Sequence, residues 1–276
     1  MKYTRPFLKW AGCKYNCLTQ ILAYFPMANR LIEPFAGSGA VFINTNYPQY
    51  LIAEDNQDLI HLFQHLQQEG ETFIDYCESY FCEKNNTPEQ YYSLREQFNR
   101  CSNSRERAAI FLYLNRHGYN GLCRYNQSGG YNVPFGRFTK PLFPRKGMTF
   151  FHSKAKGVLF QKNDFRDTFA LAKPGDVIYC DPPYVPREQA SNFSTYTHKA
   201  FSEQDQITLA ELSIAAAKNG ITVLISNHDT QFTRYHYRNS KIQSFPVQRF
   251  ISRNVLERKP VQELIAIFQN DKGNGC

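Results

Sequence analysis

Four consecutive residues of this 276-residue chain have the types and order needed for chemistry: Asp181, Pro182, Pro183 and Tyr184, directly after the apolar run Asp176-Val177-Ile178-Tyr179-Cys180. The run reads as a buried strand launched by Pro174-Gly175. A strand that meets an acid and two prolines cannot extend its ladder, because neither proline has an N–H to donate. The chain must leave in a stiff loop at the strand's carboxyl end, where open α/β sheets bind ligands. There Asp181 offers a carboxylate, Pro182 a carbonyl with no helix or sheet partner, and Tyr184 a ring face. Two acceptors and a stacking surface suit an exocyclic amine on a flat heteroaromatic ring. A surface turn that merely contains prolines is the competing reading, and the strand context weighs against it.

A second constellation is Arg30-Leu31-Ile32-Glu33-Pro34-Phe35-Ala36-Gly37-Ser38-Gly39. It reads as a short strand and a glycine turn where backbone approaches a ligand closely. The next strand, Tyr50-Leu51-Ile52-Ala53, ends in Glu54-Asp55-Asn56. An acid at that point can accept from both hydroxyls of a ribose; equally, Glu54, Asp55 or Asn56 could cap the following helix. Together the turn and the acidic strand end favour a nucleoside cofactor. Trp10, the one tryptophan, stands beside Gly12 between Lys9 and Lys14, either in ordinary packing or near the same pocket.

The formal charge is +8, and its distribution matters more than its size. From Arg107 to Asn163 there is no Asp or Glu, while ten Lys and Arg residues and eleven Tyr and Phe residues are interleaved there. Such a segment is the electrostatic footprint of a polyanion partner. Hydrophobic residues make up 42% of the chain, ample for a core, yet no apolar run approaches a membrane span. The first residues lack the apolar centre of a signal peptide. Eight cysteines without C-x-x-C spacing suggest reduced thiols in a cytoplasm rather than zinc or a disulfide framework.

These residues require an α/β sheet to hold them. Residues 17–25 read as a short helix. Residues 57–117 read as several helices that interrupt the strand–helix alternation, separated near Asn85-Asn86 and Ser102-Asn103. Residues 118–138 read as a hairpin around Ser128-Gly129-Gly130, its Arg, Asn and Tyr side chains better suited to reading bases than to filling a core; tyrosines lying flat on the domain are the alternative. Strands resume at 157–161, 176–180 and 221–225, with a helix over 202–219 capped by Ser202. An antiparallel pair over 241–250 and 261–268 closes the sheet edge. Expected boundaries are a discontinuous catalytic domain, 1–56 and 145–270, a recognition domain, 57–144, and a disordered tail, 271–276.

In this order, Lys9-Trp10-Ala11-Gly12, Glu33 to Gly39, Leu114 to Asn126 and Asp181 to Tyr184 resemble the Dam-type DNA adenine-N6 methyltransferases, over residues 3–268. The resemblance implies a Rossmann-like S-adenosylmethionine-dependent methyltransferase sheet with an inserted, mainly helical DNA-recognition domain carrying a β-hairpin. It implies double-stranded DNA containing GATC as substrate, S-adenosylmethionine as cofactor and no metal, and a cytoplasmic, nucleoid-associated enzyme without an obligate protein partner. By position, Trp10, Lys14, Phe35, Gly37, Glu54, Asp164, Phe165 and Asp181 would line the cofactor pocket. Asp181, Pro182 and Tyr184 would be catalytic. Lys9, Tyr119, Asn120, Leu122, Arg124 and Pro134 would meet the DNA, the last five at its bases, and Arg95, Arg116, Asn126, Asn132, Arg137 and Lys140 would hold phosphates. Three positions depart from the family pattern: Cys13 replaces a common glycine, Glu54 the usual aspartate, and Thr139 a residue that is often basic.

Buried in the base stack, adenine N6 is out of reach, so the target must flip out, with Tyr119 available to fill the gap. Cytosine-N4 methylation uses the same amine chemistry, and an inert DNA-binding protein could keep the fold. Intact Asp181 and Tyr184 argue against the latter.

Overall fold

The computed structural model describes residues 3–184, 201–247 and 261–270. Its seven-stranded sheet contains β1 (Arg30–Glu33), β2 (Gln49–Glu54), β3 (Leu159–Lys162), β4 (Asp176–Cys180), β5 (Thr222–His228), β6 (Lys241–Val247) and β7 (Val261–Phe268), in the order β3-β2-β1-β4-β5-β7-β6. Strands β1 to β5 are parallel, and β7 runs antiparallel between β5 and β6. The order reverses direction between β1 and β4. At such a switch point the connecting loops diverge and leave a crevice beyond the carboxyl ends of the strands. Glu33 and Asp181 both lie at that edge, since Ile32 is in register with Ile178.

Every residue of β4 is buried, as a parallel strand covered on both faces requires. Strand β5 runs on past the expected Ile225 through Ser226, Asn227 and His228. Those polar residues gave no strand signal, yet they pair with Ile265, Leu264 and Glu263. Asn227 is satisfied inside the core by Gln206 and the Tyr237 hydroxyl, at 3.1 and 3.0 Å. The antiparallel pair forms as expected from Lys241 to Val247 and from Val261 to Phe268; residues 248–250 and the 271–276 tail lie outside the described residues.

Helix α1 (Leu18–Leu22), entered through a 3-10 turn, is shorter than expected. The 57–117 region divides into α2 (Gln57–Glu69), α3 (Glu71–Glu78), α4 (Pro88–Arg100) and α5 (Ser104–His117). Asn56 caps α2, accepting from the N–H groups of Asp58 and Leu59, which leaves Glu54 for another role. Helix α6 (Arg145–Lys154) and the short α7 (Phe165–Ala170) were not legible as helices; α6 buries only Met148 and Phe151. Helix α8 (Glu203–Lys218) begins with the expected Ser202 cap, closed reciprocally by Asp205. The last helix, α9 (Gln231–His236), spans six residues.

One apolar cluster joins Phe42 and Phe160 near the sheet to Phe63 of α2, Phe111 of α5 and Phe151 of α6. Rings of Phe63 and Phe151 meet at 4.7 Å, and Phe7 stands edge-on to Phe151 at 5.3 Å. The helical region therefore rests on one face of the sheet through shared aromatic packing. On the other face, Phe165, Phe169, Leu209 and Ala216 pack with Ile178 and Ile225.

Candidate active site

Asp181 directly follows β4, its carboxylate 2.7 Å from the buried Lys14 ammonium, which also donates to the Gly12 carbonyl at 3.1 Å. Burial pushes the Asp181 carboxyl up to about 6, against the pull of Lys14 and with a further push from Glu263. Burial by itself would lower the Lys14 ammonium, but Asp181 and Glu263 outweigh it and hold its pKa above the usual value. The lysine thus carries its charge beneath the reacting edge.

Pro182 is buried, and its carbonyl accepts no hydrogen bond among the described residues. The neighbouring Pro183 carbonyl accepts from Gln206 Nε2 at 3.0 Å, and Gln206 is in turn held by Asn227 and Tyr237. A buried polar network under β5 and α8 therefore fixes the loop's direction. Tyr184 donates its hydroxyl to Glu263 at 3.3 Å, and its ring meets His228 edge-on at 4.4 Å. Lys14 Nζ lies over the Tyr184 ring at 4.7 Å, so a flat ligand would take the opposite face. Glu263, Gln206, Asn227 and Tyr237 escaped the sequence reading because their partners come from other strands and helices.

Across the crevice, Gly37 has φ of +48°, and a Cβ there would fall 2.9 Å from Trp10 Nε1. The glycine is thus required twice, by the left-handed backbone and by the indole against it. Gly37 donates its N–H to Glu54 Oε2 at 3.0 Å. Burial raises the Glu54 carboxyl to about 7, although N–H groups of Gly37, Asn56 and Asp55 stabilise its charged form. The neighbouring Asp55 is exposed and faces Lys162 at 3.5 Å instead. Cys13 accepts from the Ser38 hydroxyl at 3.3 Å, so the residue that departs from the family pattern is tied into the glycine turn. Phe35 stacks on Phe165 at 5.5 Å, and Asp164 caps α7 while pairing with Arg166. The Phe165 ring is buried, and Asp164 lies at the rim.

Glu33, the end of β1, was also missed. It is buried, its Oε1 has no partner, and burial together with nearby Asp181 raises its pKa well above the usual value. The available signal was an acid ending the first strand, as Glu54 ends the second.

The 118–138 arms pair antiparallel at two isolated bridges, Gly118 with Phe135 and Tyr125 with Tyr131, rather than as a continuous ladder. Cys123, Tyr131 and Val133 are buried, so part of the segment expected to be poor core material is core. Tyr125 is tied down too, donating to Asp58 Oδ2 at 2.6 Å. Of the expected DNA contacts in this stretch, Tyr119, Asn120, Arg124, Asn126, Pro134, Arg137 and Lys140 are exposed. Leu122 is half-buried against the core.

Contacts within this region explain its motif. Asn115 clasps the main chain of Lys9 from both sides, at 3.0 and 2.7 Å, and reaches the Gly121 carbonyl at 3.3 Å. A Cβ on Gly121 would fall 2.3 Å from Lys9 Cβ. Lys9 Nζ then lies 4.0 Å over the Phe138 ring. Arg116 donates to the carbonyls of Leu142 and Phe7, and burial lowers its pKa below the usual value. Arg95 donates to the Val133 carbonyl at 3.0 Å. Asn126 closes the turn, its Oδ1 accepting from Gly130 N–H at 2.7 Å. Arg124 donates to Asn132. Some of the acid-free charge is neutralised from afar, Arg107 by Asp58 and Arg145 by Glu71, Asp75 and Glu78. Arg116, Arg124, Arg137 and Lys140 form no ion pair among the described residues.

Among the described residues, no group of three or more His, Cys, Asp or Glu is arranged to hold a metal ion. No described helix is long and apolar enough to cross a membrane.

The strand order, the glycine turn after β1, the acid ending β2 and Asp181 after β4 define a Rossmann-like α/β fold with its candidate site at the carboxyl edge of the sheet. Residues 10–251 match the D12 class N6 adenine-specific DNA methyltransferase family. The DNA adenine methylase of Vibrio cholerae is 45% identical over 269 residues, covering 97% of each chain. That of Serratia marcescens is 44% identical over 98% of this chain and 100% of its own, and that of Escherichia coli K12 is 43% identical over 98% and 97%. The chain belongs to the D12 class of DNA methyltransferases and is an adenine-specific enzyme acting on N6. Cytosine-N4 methylation is thereby set aside.

Proposed function

We propose that this enzyme takes its methyl group from S-adenosylmethionine, acts within GATC in duplex DNA, and flips the target adenine out of the helix. The observation that carries this reading is the gathering of Asp181 with Lys14, and of the Gly37 turn with Glu54, at the carboxyl edge of the parallel strands. Its donor set suits that cofactor: a turn with no room for a Cβ, a carboxylate for the ribose hydroxyls, and Glu33 Oε1, a buried acceptor without a partner. Trp10, Lys14, Phe35, Gly37, Glu54, Asp164, Phe165 and Asp181 would hold it. When bound, the cofactor supplies an electrophilic methyl group on a sulfonium.

The protein's own contribution follows from the substrate amine. Delocalisation into the purine makes N6 a poor nucleophile. Acceptors at Asp181 and the Pro182 carbonyl draw its two N–H groups out of the ring plane and localise the lone pair. Positive charge then develops on N6, where the ionised Asp181 stabilises it. Tyr184 stacks on the ring and fixes the angle of approach. The half-exposed Tyr119 fills the gap left by the base, with Asn120 beside it.

Residues 57–144 serve as the recognition part of the molecule, and 1–56 with 145–270 as the catalytic part. Leu122, Arg124 and Pro134 meet bases, Lys9 meets the DNA beside them, and Arg95, Arg116, Asn126, Arg137 and Lys140 act on phosphates. Duplexes with and without GATC, incubated with methyl-labelled S-adenosylmethionine and digested to nucleosides, test the proposal. Label in N6-methyladenine from GATC duplexes only is the expected result. Equal label without the site, or none from this donor, would overturn it. In the same assay Asp181→Ala should lose most methyl transfer while duplex affinity stays within a few-fold.

A further inference from the structure

Arg124 is exposed but its guanidinium is held. Its Nε donates to Asn132 Oδ1 at 2.7 Å, and its Nη2 to the Asn132 main-chain carbonyl at 3.1 Å. Both bonds use the side edge of the guanidinium plane. The end edge, one N–H on Nη1 and the second on Nη2, stays outward as a parallel fork. That fork matches a pair of adjacent acceptors such as guanine O6 and N7.

Asn132 is itself fixed on both sides. Asn99 of α4 clasps the Tyr131 main chain, its Oδ1 accepting from N–H at 2.8 Å and its Nδ2 donating to the carbonyl at 3.2 Å. The Val133 carbonyl accepts from the Tyr91 hydroxyl and from Arg95, each at 3.0 Å. Asn132 N–H returns to the Arg124 carbonyl at 3.1 Å. The amide and carbonyl oxygens facing Arg124 are therefore anchored to a helix rather than to a loose turn.

We propose that Asn132 is a positioning residue for base discrimination: it holds one edge of Arg124 so that the other meets the base in a single orientation. This rests on the reading of Arg124 as a base-reading residue, and it gives Asn132 a role different from the phosphate contact its place in the family pattern implies. A long, exposed arginine otherwise samples many rotamers and can turn either edge to a phosphate. Held by Asn132, it can turn its side edge to a phosphate only by breaking two hydrogen bonds.

The test is a double-mutant cycle of Asn132→Ala and Arg124→Ala, read as initial rates on GATC and on duplexes with its first guanine replaced. Asn132→Ala should lower the preference for the cognate site about tenfold, and it should cost nothing further once Arg124 is alanine. A loss of the same size in the Arg124→Ala background would overturn the proposal, because Asn132 would then act on DNA by itself. Asn132→Asp keeps the acceptor for Nε while removing the amide donor and adding charge. It should weaken all duplexes alike and retain the site preference; a preference lost as fully as with alanine also overturns the idea. If Arg124→Ala instead lowers all duplexes equally, the base-reading assignment of Arg124 fails, and the positioning role toward that base fails with it. Coupling between the two residues, measured separately by the cycle, tells these failures apart.

Discussion

Replacing Lys14 by methionine tests how the charge of Asp181 is set. The ammonium lies 2.7 Å from the carboxylate, and both side chains are largely buried. Charge centres about 4 Å apart at an effective dielectric constant of about 20 attract by roughly 4 kcal/mol. At 1.36 kcal/mol per pKa unit, losing that attraction moves the titration up by about two to three pH units. Methionine keeps the stem's length and volume, so the pocket need not collapse. In the unaltered enzyme the carboxyl titrates at about 6, and activity that needs its ionised form is present above that pH and lost as pH falls through it. With Lys14→Met the acid limb should climb past neutrality, helped by the push that Glu263 still exerts. Single-turnover rates on a GATC duplex, at saturating cofactor and across the pH range, measure the limb without interference from cofactor affinity. A limb that stays near its original position would refute the electrostatic account. Lys14→Arg should return much of the lost range.

Glu54 carries two expectations, one for stability and one for binding. Burial raises its folded pKa from the ordinary 4.5 to about 7, so the folded state holds its proton more tightly than the unfolded state does. Stability is therefore greatest below the unfolded pKa and declines as pH rises through the folded one, by up to about 3 kcal/mol. Glu54→Gln should flatten that decline in the ligand-free protein, as seen by denaturant melts at several pH values. It should also weaken the proposed cofactor by roughly 1.5–3 kcal/mol in calorimetry at a pH where Glu54 is ionised; unchanged affinity would move the ribose contact elsewhere. Gly37→Ala should displace Trp10 and destabilise the fold by more than about 1 kcal/mol, and an unaltered emission spectrum from this sole tryptophan would contradict the packing. Arg137→Ala and Lys140→Ala should each lower the salt slope of DNA binding by about one, equally for all sequences, and a slope that does not move would mark them as solvated charges.

Local residue chemistry by itself determined the parts of this enzyme that depend on near neighbours. Two prolines end β4 because neither can donate to a ladder, and Asp181 must follow at the sheet's carboxyl edge. The Gly37 turn and the acid at Glu54 were legible for the same reason, as was the Ser202 cap of α8. The acid-free stretch from Arg107 to Asn163 declared a polyanion partner, since charge composition needs no coordinates.

Tertiary structure decided what depends on residues far apart in the chain. Lys14 meets Asp181 only because the fold packs the 3-10 turn before α1 against the end of β4, and that contact offsets the effect of burial on the carboxylate. Glu263 reaches Tyr184 from β7, which lies antiparallel between β5 and β6. The tyrosines of the 118–138 arms looked alike in sequence, yet packing buries Tyr131, ties Tyr125 to Asp58 and leaves Tyr119 half-exposed. Asn132 and Arg124 are eight residues apart, and no local periodicity couples them. Only the antiparallel pairing, held in register by Asn99 and Arg95 from α4, brings an amide oxygen to one edge of a guanidinium and leaves the other edge free.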